Sequence, residues 1–213
     1  MKNIYPGIMT MLLILLPVPN LMAVEEAKYT LVEKEGDFEI RDYAPQVVAE
    51  TRVEGSLEDA SSRAFRRLFR YITGNNKPEA KIAMTAPVSQ EPAGQEIAMT
   101  APVTQSPAGE NNWIVRFIMP SALSLEALPA PGNDAVQLRQ LPARRVVAVR
   151  FSGRTDDALI AEQEQRLHDW MAARGLSPLG PPTYAYYNDP FTPGFLRRNE
   201  IQLPVARSAL PAD

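Results

Sequence analysis

The amino-acid sequence predicts an α+β fold with a largely antiparallel sheet, built as two similar halves that curl together. Several short segments alternate apolar with polar residues, and two longer segments have helical periodicity. The elements run in the order strands, helix, strands, helix, strands, so helices and strands do not alternate one by one as in a parallel sheet. We therefore expect a single mixed domain over 24–213 and no doubly wound dinucleotide fold.

The first half is predicted to contain three strands and a helix. The alternating segments are 28–34, 37–43 and 46–53, the first two joined as a hairpin through Gly36-Asp37. A helix then begins at Ser56, a suitable N-cap, and ends at about Thr73 before Gly74.

This first helix has two different faces. Its apolar residues share one face at helical spacing: Leu57, Ala60, Ala64, Phe65, Leu68, Phe69 and Ile72. Four arginines lie almost opposite, namely Arg63, Arg66, Arg67 and Arg70. Arginine binds carboxylates through paired hydrogen bonds, so the stripe suits a ligand that carries two acid groups. The alternative is a solvated helix face on which Arg63 pairs with Asp59.

Two copies of a 15-residue repeat follow, at 82–96 and 97–111, and both contain Ile-Ala-Met-Thr-Ala-Pro-Val. Each copy predicts a short strand that ends at Ala-Pro, then a turn. Met84 and Met99 occupy equivalent positions, and their thioethers suit either a flat polarisable ring or ordinary core packing.

The second half repeats the pattern of the first. The predicted strands are 113–119, 136–141, 144–151, 184–188 and 199–205. A Pro-rich connection covers 120–132, and a second helix runs from Asp156 to about Arg174, before Gly175. In the last pair of strands, Tyr184 and Tyr186 should share one sheet face while Tyr187 takes the other.

Composition excludes several classes of site. The 213 residues include no Cys and one His, so disulfides, iron–sulfur clusters, Cys nucleophiles and the usual zinc sites are excluded. The 22 basic and 25 acidic residues give a formal charge of −3, which disfavours nucleic acid as a partner. No motif for nucleotide, metal or Ser-hydrolase chemistry occurs. His168 lies on the second helix about 120° from the centre of its apolar face, where we expect a solvated or boundary residue; the alternative is an axial iron ligand or a general base. We expect no catalytic residue and no metal ligand.

The N-terminal segment predicts export. Residues 1–23 form an apolar stretch after Lys2, and Leu21-Met22-Ala23 ends in the small residue that a signal peptidase requires. Pro17, Pro19 and the short apolar core favour cleavage after Ala23 over an uncleaved membrane anchor. The mature chain would be periplasmic or secreted, with no membrane span left after cleavage.

Several segments together resemble the SOUL/haem-binding-protein family. They include FEIRDYAPQVVAET at 38–51, AFRRLFRYITGNN at 64–76, KIAMTAPV at 81–88, RRVVAVRFSG at 144–153 and RRNEI at 197–201, in the order the family has them. The resemblance covers 28–205. It implies two pseudo-symmetric halves, each a curved antiparallel sheet with one packed helix, that form a distorted barrel.

The resemblance also implies a ligand, which is haem or another tetrapyrrole held in an apolar groove beside the first helix. The candidate binding residues carried over are Arg63, Arg67, Arg70, Met84 and Met99. If the apolar side of that helix borders the groove, Phe65 and Phe69 replace the arginines as contacts. The chain has no His before position 168, so binding would depend on burial of the macrocycle and on Arg–propionate pairs, with a Tyr or Met as a candidate ligand of the iron.

The function expected is therefore that of an exported protein that carries or buffers haem or porphyrins without catalysis. Two alternatives remain open. One is a protein-interaction or small-molecule sensor module with incidental haem binding. The other is a cofactor-independent hydrolase acting on a hydrophobic small molecule, an idea that depends on analogy of fold alone.

Overall fold

The computed structural model describes residues 24–77, 94–189 and 191–207. Within these residues the elements follow the predicted order. In chain order they are β1 (Glu25–Glu26), β2 (Tyr29–Glu35), β3 (Phe38–Tyr43), β4 (Gln46–Glu54), α1 (Leu57–Ile72), β5 (Asn76–Lys77), β6 (Thr100–Ala101), β7 (Val103–Pro107), β8 (Asn112–Ile118), β9 (Ala130–Pro131), β10 (Gln137–Leu141), β11 (Arg144–Phe151), α2 (Asp157–Ala172), β12 (Thr183–Tyr186) and β13 (Asn199–Val205).

Nine of these strands form one antiparallel sheet, in the order β10-β4-β8-β7-β12-β13-β11-β3-β2. Two smaller pairs, β1 with β6 and β5 with β9, flank it. The two halves of the sheet meet where β7 pairs with β12.

The two halves exchange strands. Two residues, Ala44-Pro45, separate β3 from β4, yet these strands lie near opposite ends of the sheet order. Pro142-Ala143 likewise separate β10 from β11. Such short connections require the sheet to curl until its two ends meet. The predicted α+β fold with two pseudo-symmetric halves and a distorted barrel is thereby confirmed.

The first helix begins and ends where the sequence predicts. The Ser56 hydroxyl accepts a hydrogen bond from the backbone N–H of Asp59 at 3.2 Å, and Thr73 is the C-cap. The buried residues of α1 are Ala60, Ala64, Leu68, Tyr71 and Ile72. They pack on Ala49 and Val53 of β4 and on Val115 and Phe117 of β8.

Phe69 does not belong to this buried face, contrary to the sequence prediction, because its side chain is 42% exposed. With 100° per residue, Phe69 lies about 130° from the centre of the buried stripe, whereas Tyr71 lies close to that centre. Tyr71 is buried and its hydroxyl donates a hydrogen bond to the Pro129 carbonyl at 3.0 Å.

The second helix packs on the same side of the sheet as the first. Asp156 caps it by accepting a hydrogen bond from the Leu159 N–H at 2.9 Å. Ile160, Leu167 and Met171 pack in a cluster with residues of β3, β11 and β13. One row of neighbouring residues runs beneath both helices through Val115, Gln105, Tyr184, Ile201 and Val149.

The opposite face of the sheet, which the curl encloses, is polar and charged. Arg41 of β3 and Glu200 of β13 are each 1% exposed, and two hydrogen bonds join them, at 2.6 and 3.0 Å. Glu39 and Arg198 extend the cluster, and we call these four residues the Glu200 network. Glu50, buried between Arg116 and Arg139, forms a second buried ion cluster.

The repeat is described in part. Residues 82–93 of its first copy, including Met84, lie outside the described residues. In the second copy, β6 ends at Ala101 and β7 begins at Val103, so Pro102 separates two strands and does not end the strand segment as predicted. Proline cannot donate a ladder hydrogen bond, and a break between two strands tolerates it.

Candidate functional site

One flank of α1 carries a pair of aromatic rings at the edge of the core. Phe65 and Phe69 stack with their centroids 5.7 Å apart and their planes 13° from parallel. Phe65 is half-buried, and its ring meets the Phe117 ring edge-on at 5.3 Å. Phe69 is the outer member of the stack. A flat apolar surface is therefore present on the helix, supported from below by β8.

The strands beside α1 continue this apolar surface. Phe117, Val103 and Tyr186 are cross-strand neighbours on β8, β7 and β12, and they lie on the face that carries the helices. Val103 and Tyr186 are half-buried. We call Phe65, Phe69, Val103 and Tyr186 the α1 apolar surface. Burial raises the pKa of Tyr186, so its phenol stays protonated at neutral pH.

The segment that leads to Met99 contacts the C-terminal end of α1. The Ile97 N–H donates to the Ile72 carbonyl at 2.8 Å, and Glu96 forms a bridge with Thr73. Met99 follows two residues later and is 37% exposed. The described copy of the repeat therefore passes the same end of the helix as Phe69.

Two of the four arginines are bound to β4 and face away from the α1 apolar surface. The Arg67 guanidinium donates to the Thr51 hydroxyl at 2.6 Å and to the Arg52 carbonyl at 3.2 Å. The Arg63 guanidinium donates to the Glu54 carbonyl, so it does not pair with Asp59. With 100° per residue, Arg67 lies about 160° around the helix from Phe69. The structure thus separates Arg63 and Arg67 from Phe65 and Phe69.

Arg66 and Arg70 differ from this pair. Both are exposed, and their side chains make no hydrogen bond or ion pair with any described residue. Arg66 lies only about 60° from Phe69 around the helix, and Arg70 about 100°. Arg66 was part of the predicted stripe but not of the predicted binding set. Its spacing of three residues from Phe69 is the signal that places the two side by side.

The second helix lacks an equivalent apolar surface. Both helices have 16 residues, so position 57 corresponds to position 157. The residues equivalent to Phe65 and Phe69 are then Gln165 and Asp169, which hydrogen bond to each other at 2.8 Å. Because this half folds with polar residues at these positions, the fold itself does not require the aromatic pair.

The tyrosines near the C-terminus lie on opposite sides of the sheet, as predicted. The Tyr184 hydroxyl donates to Glu164 of α2 at 3.1 Å, and the Tyr187 hydroxyl donates to Glu200 at 2.9 Å. Burial, followed by the neighbouring carboxylate, raises the pKa of both phenols. They therefore act as hydrogen-bond donors at neutral pH. His168 is half-buried, with its Nε2 atom 4.0 Å from Glu164 Oε1.

Neither metal ligation nor a membrane span has support in the described part of the chain. There, no three His, Cys, Asp or Glu side chains group in a way that could hold a metal ion. Across 24–77, 94–189 and 191–207, neither helix combines the length and apolar character needed to cross a bilayer.

Solved structures define the fold class first. The crystal structure of the EcmrR C-terminal domain superposes with a TM-score of 0.54 at 16% identity, covering 84% of this chain and 98% of that one. A hydrolase from Listeria innocua gives a TM-score of 0.53 at 12% identity, covering 80% of this chain and 92% of the other. At these identities the likeness establishes a shared two-helix, curled-sheet fold and nothing about chemistry.

The sequence then assigns the family. A model of the SOUL heme-binding protein family matches residues 24–204, and the chain belongs to that family. Heme-binding protein 2 from Homo sapiens is 44% identical over 55 residues, which is 25% of this chain and 27% of the human protein. The family resemblance predicted from the motifs is confirmed, and it supports the expectation of a haem or other tetrapyrrole ligand.

Proposed function

We propose that this protein binds haem or a related tetrapyrrole on the α1 apolar surface and carries or buffers it without chemical change. The observation that carries the proposal is the stacked Phe65–Phe69 pair, in a member of this family, at positions where the other half of the fold has polar residues. A tetrapyrrole presents a flat apolar face, and offset stacking on an aromatic ring suits such a face. Met99 is a further candidate contact beside it.

The two propionates need cations, and the contacts of α1 distinguish between the candidates. Arg63 and Arg67 already donate to oxygens of β4, so recruiting them would break these hydrogen bonds. Arg66 and Arg70 are exposed, without a side-chain partner among the described residues, and lie nearer to Phe69. Arginine pairs with carboxylates bidentately, and we assign the propionate contacts to Arg66 and Arg70. Arg63 and Arg67 become residues that hold α1 on β4.

The hydrogen bonds of two tyrosines favour binding without catalysis. The hydroxyls of Tyr184 and Tyr187 are committed as donors to carboxylates, and their raised pKa opposes a role as general bases. The N-terminal segment 1–23 has the features of a cleaved signal, so we propose that haem is bound after export.

A haemin titration followed by Soret absorbance, with protoporphyrin IX in parallel, tests the proposal. We expect saturable binding of both ligands by the purified protein. Phe69→Ser should weaken binding of both by about tenfold or more, because it removes most of one stacked aromatic contact. Leu179→Ser, at another exposed apolar residue, is the matched control and should bind like the unchanged protein.

Charge reversal tests the propionate assignment separately. Arg66→Glu with Arg70→Glu should weaken haemin binding by tenfold or more, whereas Arg52→Glu on the opposite face of the sheet should not. If Arg63→Gln with Arg67→Gln weakens binding more than the first pair at unchanged thermal stability, the assignment to Arg66 and Arg70 is wrong. If neither ligand saturates, the protein does not bind tetrapyrroles on this surface, and the interaction-module alternative gains.

A further inference from the structure

The connection between β12 and β13 exposes large apolar side chains. Phe191 is 93% exposed, Phe195 is 78% exposed and Leu196 is 62% exposed. Isolated apolar residues on a surface need no explanation, but three within six positions of one loop form a patch. We call Phe191, Phe195 and Leu196 the apolar tip.

Hydrogen bonds fix the backbone beneath the tip. Asp189 Oδ1 accepts from the N–H groups of Phe191 and Thr192, at 2.8 and 2.9 Å. The Arg197 guanidinium donates to the Thr192 carbonyl at 2.8 Å, and Gly194–Leu196 form a single 3₁₀ turn. The loop is also joined to the end of β11, because the Gly153 N–H donates to the Gly194 carbonyl at 2.9 Å. The fold therefore holds these apolar side chains outward and preorganised for a partner.

Two arginines that have no partner among the described residues lie beside the tip. A pocket of about 370 Å³ at its base is lined by Arg150, Ser152, Phe195 and Leu196, among others, which is the lower end of the range for small-molecule sites. The side chain of Arg150 makes no ion pair or hydrogen bond with a described residue, and neither does that of Arg154. Arg154 packs against the loop, with its Cγ 3.2 Å from the position that a Cβ at Gly194 would take.

Most of the acidic residues around the tip have hydrogen-bond or ion-pair partners within the described part of the chain. Asp189 and Asp156 accept backbone N–H groups of their own turns. Asp37 faces Arg166 at 3.4 Å, and Glu26 pairs with Arg198 at 2.8 Å. Asp157 is exposed in the first turn of α2, where the helix dipole favours it. Asp37 and Glu26 thus each face an arginine, whereas Arg150 and Arg154 have no ion-pair partner among the described residues.

We propose that the apolar tip docks on an anionic lipid surface, with Phe191, Phe195 and Leu196 entering the interface and Arg150 and Arg154 meeting lipid phosphates. Aromatic and aliphatic side chains beside basic residues are the composition of interfacial membrane anchors. Each arginine held near an anionic surface and each inserted apolar side chain adds to the same attraction. The apolar tip shares no residue with the α1 apolar surface, so the proposal does not require that a tetrapyrrole binds there.

Vesicle co-sedimentation tests the docking. The protein used is the form that the expressing cell exports, with its N-terminus determined by mass spectrometry, so that segment 1–23 is accounted for. It should bind phosphatidylcholine vesicles that contain phosphatidylglycerol, and bind pure phosphatidylcholine far more weakly. Phe191→Ser with Phe195→Ser should reduce the partition coefficient by about tenfold or more. Leu179→Ser, at an exposed leucine near the other end of β13, should leave it unchanged.

Charge and oligomeric state give two further readouts. Arg150→Gln with Arg154→Gln should weaken binding to the anionic vesicles about tenfold and abolish its salt dependence, while Arg52→Gln should do neither. All these side chains are exposed, so far-UV circular dichroism and the melting temperature should not change. Failure to bind anionic vesicles, or binding that the Phe substitutions leave intact, overturns the proposal. A concentration-dependent dimer that the same Phe substitutions dissociate also overturns it and assigns the tip to a second copy of the chain.

Discussion

Glu200→Gln should destabilise the protein more than any other single change to a charge in the Glu200 network. Each oxygen of this buried carboxylate accepts three hydrogen bonds. Oε1 accepts two from Arg198 and one from Arg41, and Oε2 accepts one each from Arg41, Tyr187 and Gln202. A glutamine keeps the shape but places an NH₂ donor against three donors, whichever way the amide is turned.

The expected loss is about 3–5 kcal/mol, the usual cost of removing one partner of a buried ion pair. In a chain of 213 residues this corresponds to a fall in melting temperature of roughly 6–20 °C. Urea denaturation followed by circular dichroism measures the free energy, and the slope m should not change.

Two companion variants separate this cause from general damage. Arg41→Met should cost less, about 2 kcal/mol, because Glu200 keeps four of its six donors and Glu39 keeps Lys34. The Arg41→Met/Glu200→Gln double variant should cost less than the two singles added together, because both remove the same pair. A Glu200→Gln protein within about 1 kcal/mol of the unchanged one would refute the reasoning.

One pH dependence and two further substitutions give additional predictions. Burial alone would raise the pKa of Glu200, but Arg41 and Arg198 outweigh burial and hold the pKa below 4.5. The ionised Glu200 therefore stabilises the fold above about pH 4.5, and this contribution is lost as the pH falls. A plot of melting temperature against pH should be flatter at the acid end for Glu200→Gln than for the unchanged protein. Ser56→Ala removes the cap of α1 and should cost about 1 kcal/mol in urea titrations, with Ser56→Asp restoring most of it. Burial raises the pKa of Tyr71 to about 12, and Tyr71→Phe, which leaves the Pro129 carbonyl without its donor, should cost about 1–2 kcal/mol in the same titrations.

Local periodicity predicted the elements of this fold but not the order of the strands in the sheet. The strand at 144–151 and the caps of both helices are where the sequence pattern placed them, because alternation and capping depend on neighbouring residues alone. The exchange of β3 and β10 between halves depends on pairs about one hundred residues apart, such as Arg145 with Asp42. No local pattern specifies such a register.

The burial of the charged residues could not be predicted from the sequence, for a related reason. In FEIRDY of β3, alternation correctly separates Phe38 and Ile40 from Glu39 and Arg41, and in most sheets the polar set would face water. Here the sheet curls on itself, so both faces are buried and the polar residues must pair with one another. Alternation identifies the two faces of a strand but does not show which of them is solvated.

The sequence predicts which helix carries the candidate site but not which face of that helix does. A wide apolar stripe on a helical wheel included Phe69, since the wheel gives angles but not how far the sheet reaches around the helix. The separation of Arg63 and Arg67 from Arg66 and Arg70 depends on oxygens of β4, which only the folded chain supplies. The sequence alone therefore leaves candidate contacts on both faces of α1.

Comparison of the two halves distinguishes what the fold requires from what it does not. Gly55 and Gly153 each precede a helix, with φ angles of 119° and 124°, where the strand turns sharply and only glycine is unstrained. Both helices have 16 residues and pack on the same face. The halves differ in the outer flank of the helix, which is aromatic in α1 only. They also differ in one connection: the loop after β7 has four residues, 108–111, whereas the loop after β12 has twelve, 187–198. Since either half folds with its own version, stability does not account for the aromatic flank or for the apolar tip. Exposed aromatic residues that stability does not require are best explained by contact with something outside the chain, and the two surfaces are chemically suited to two different partners.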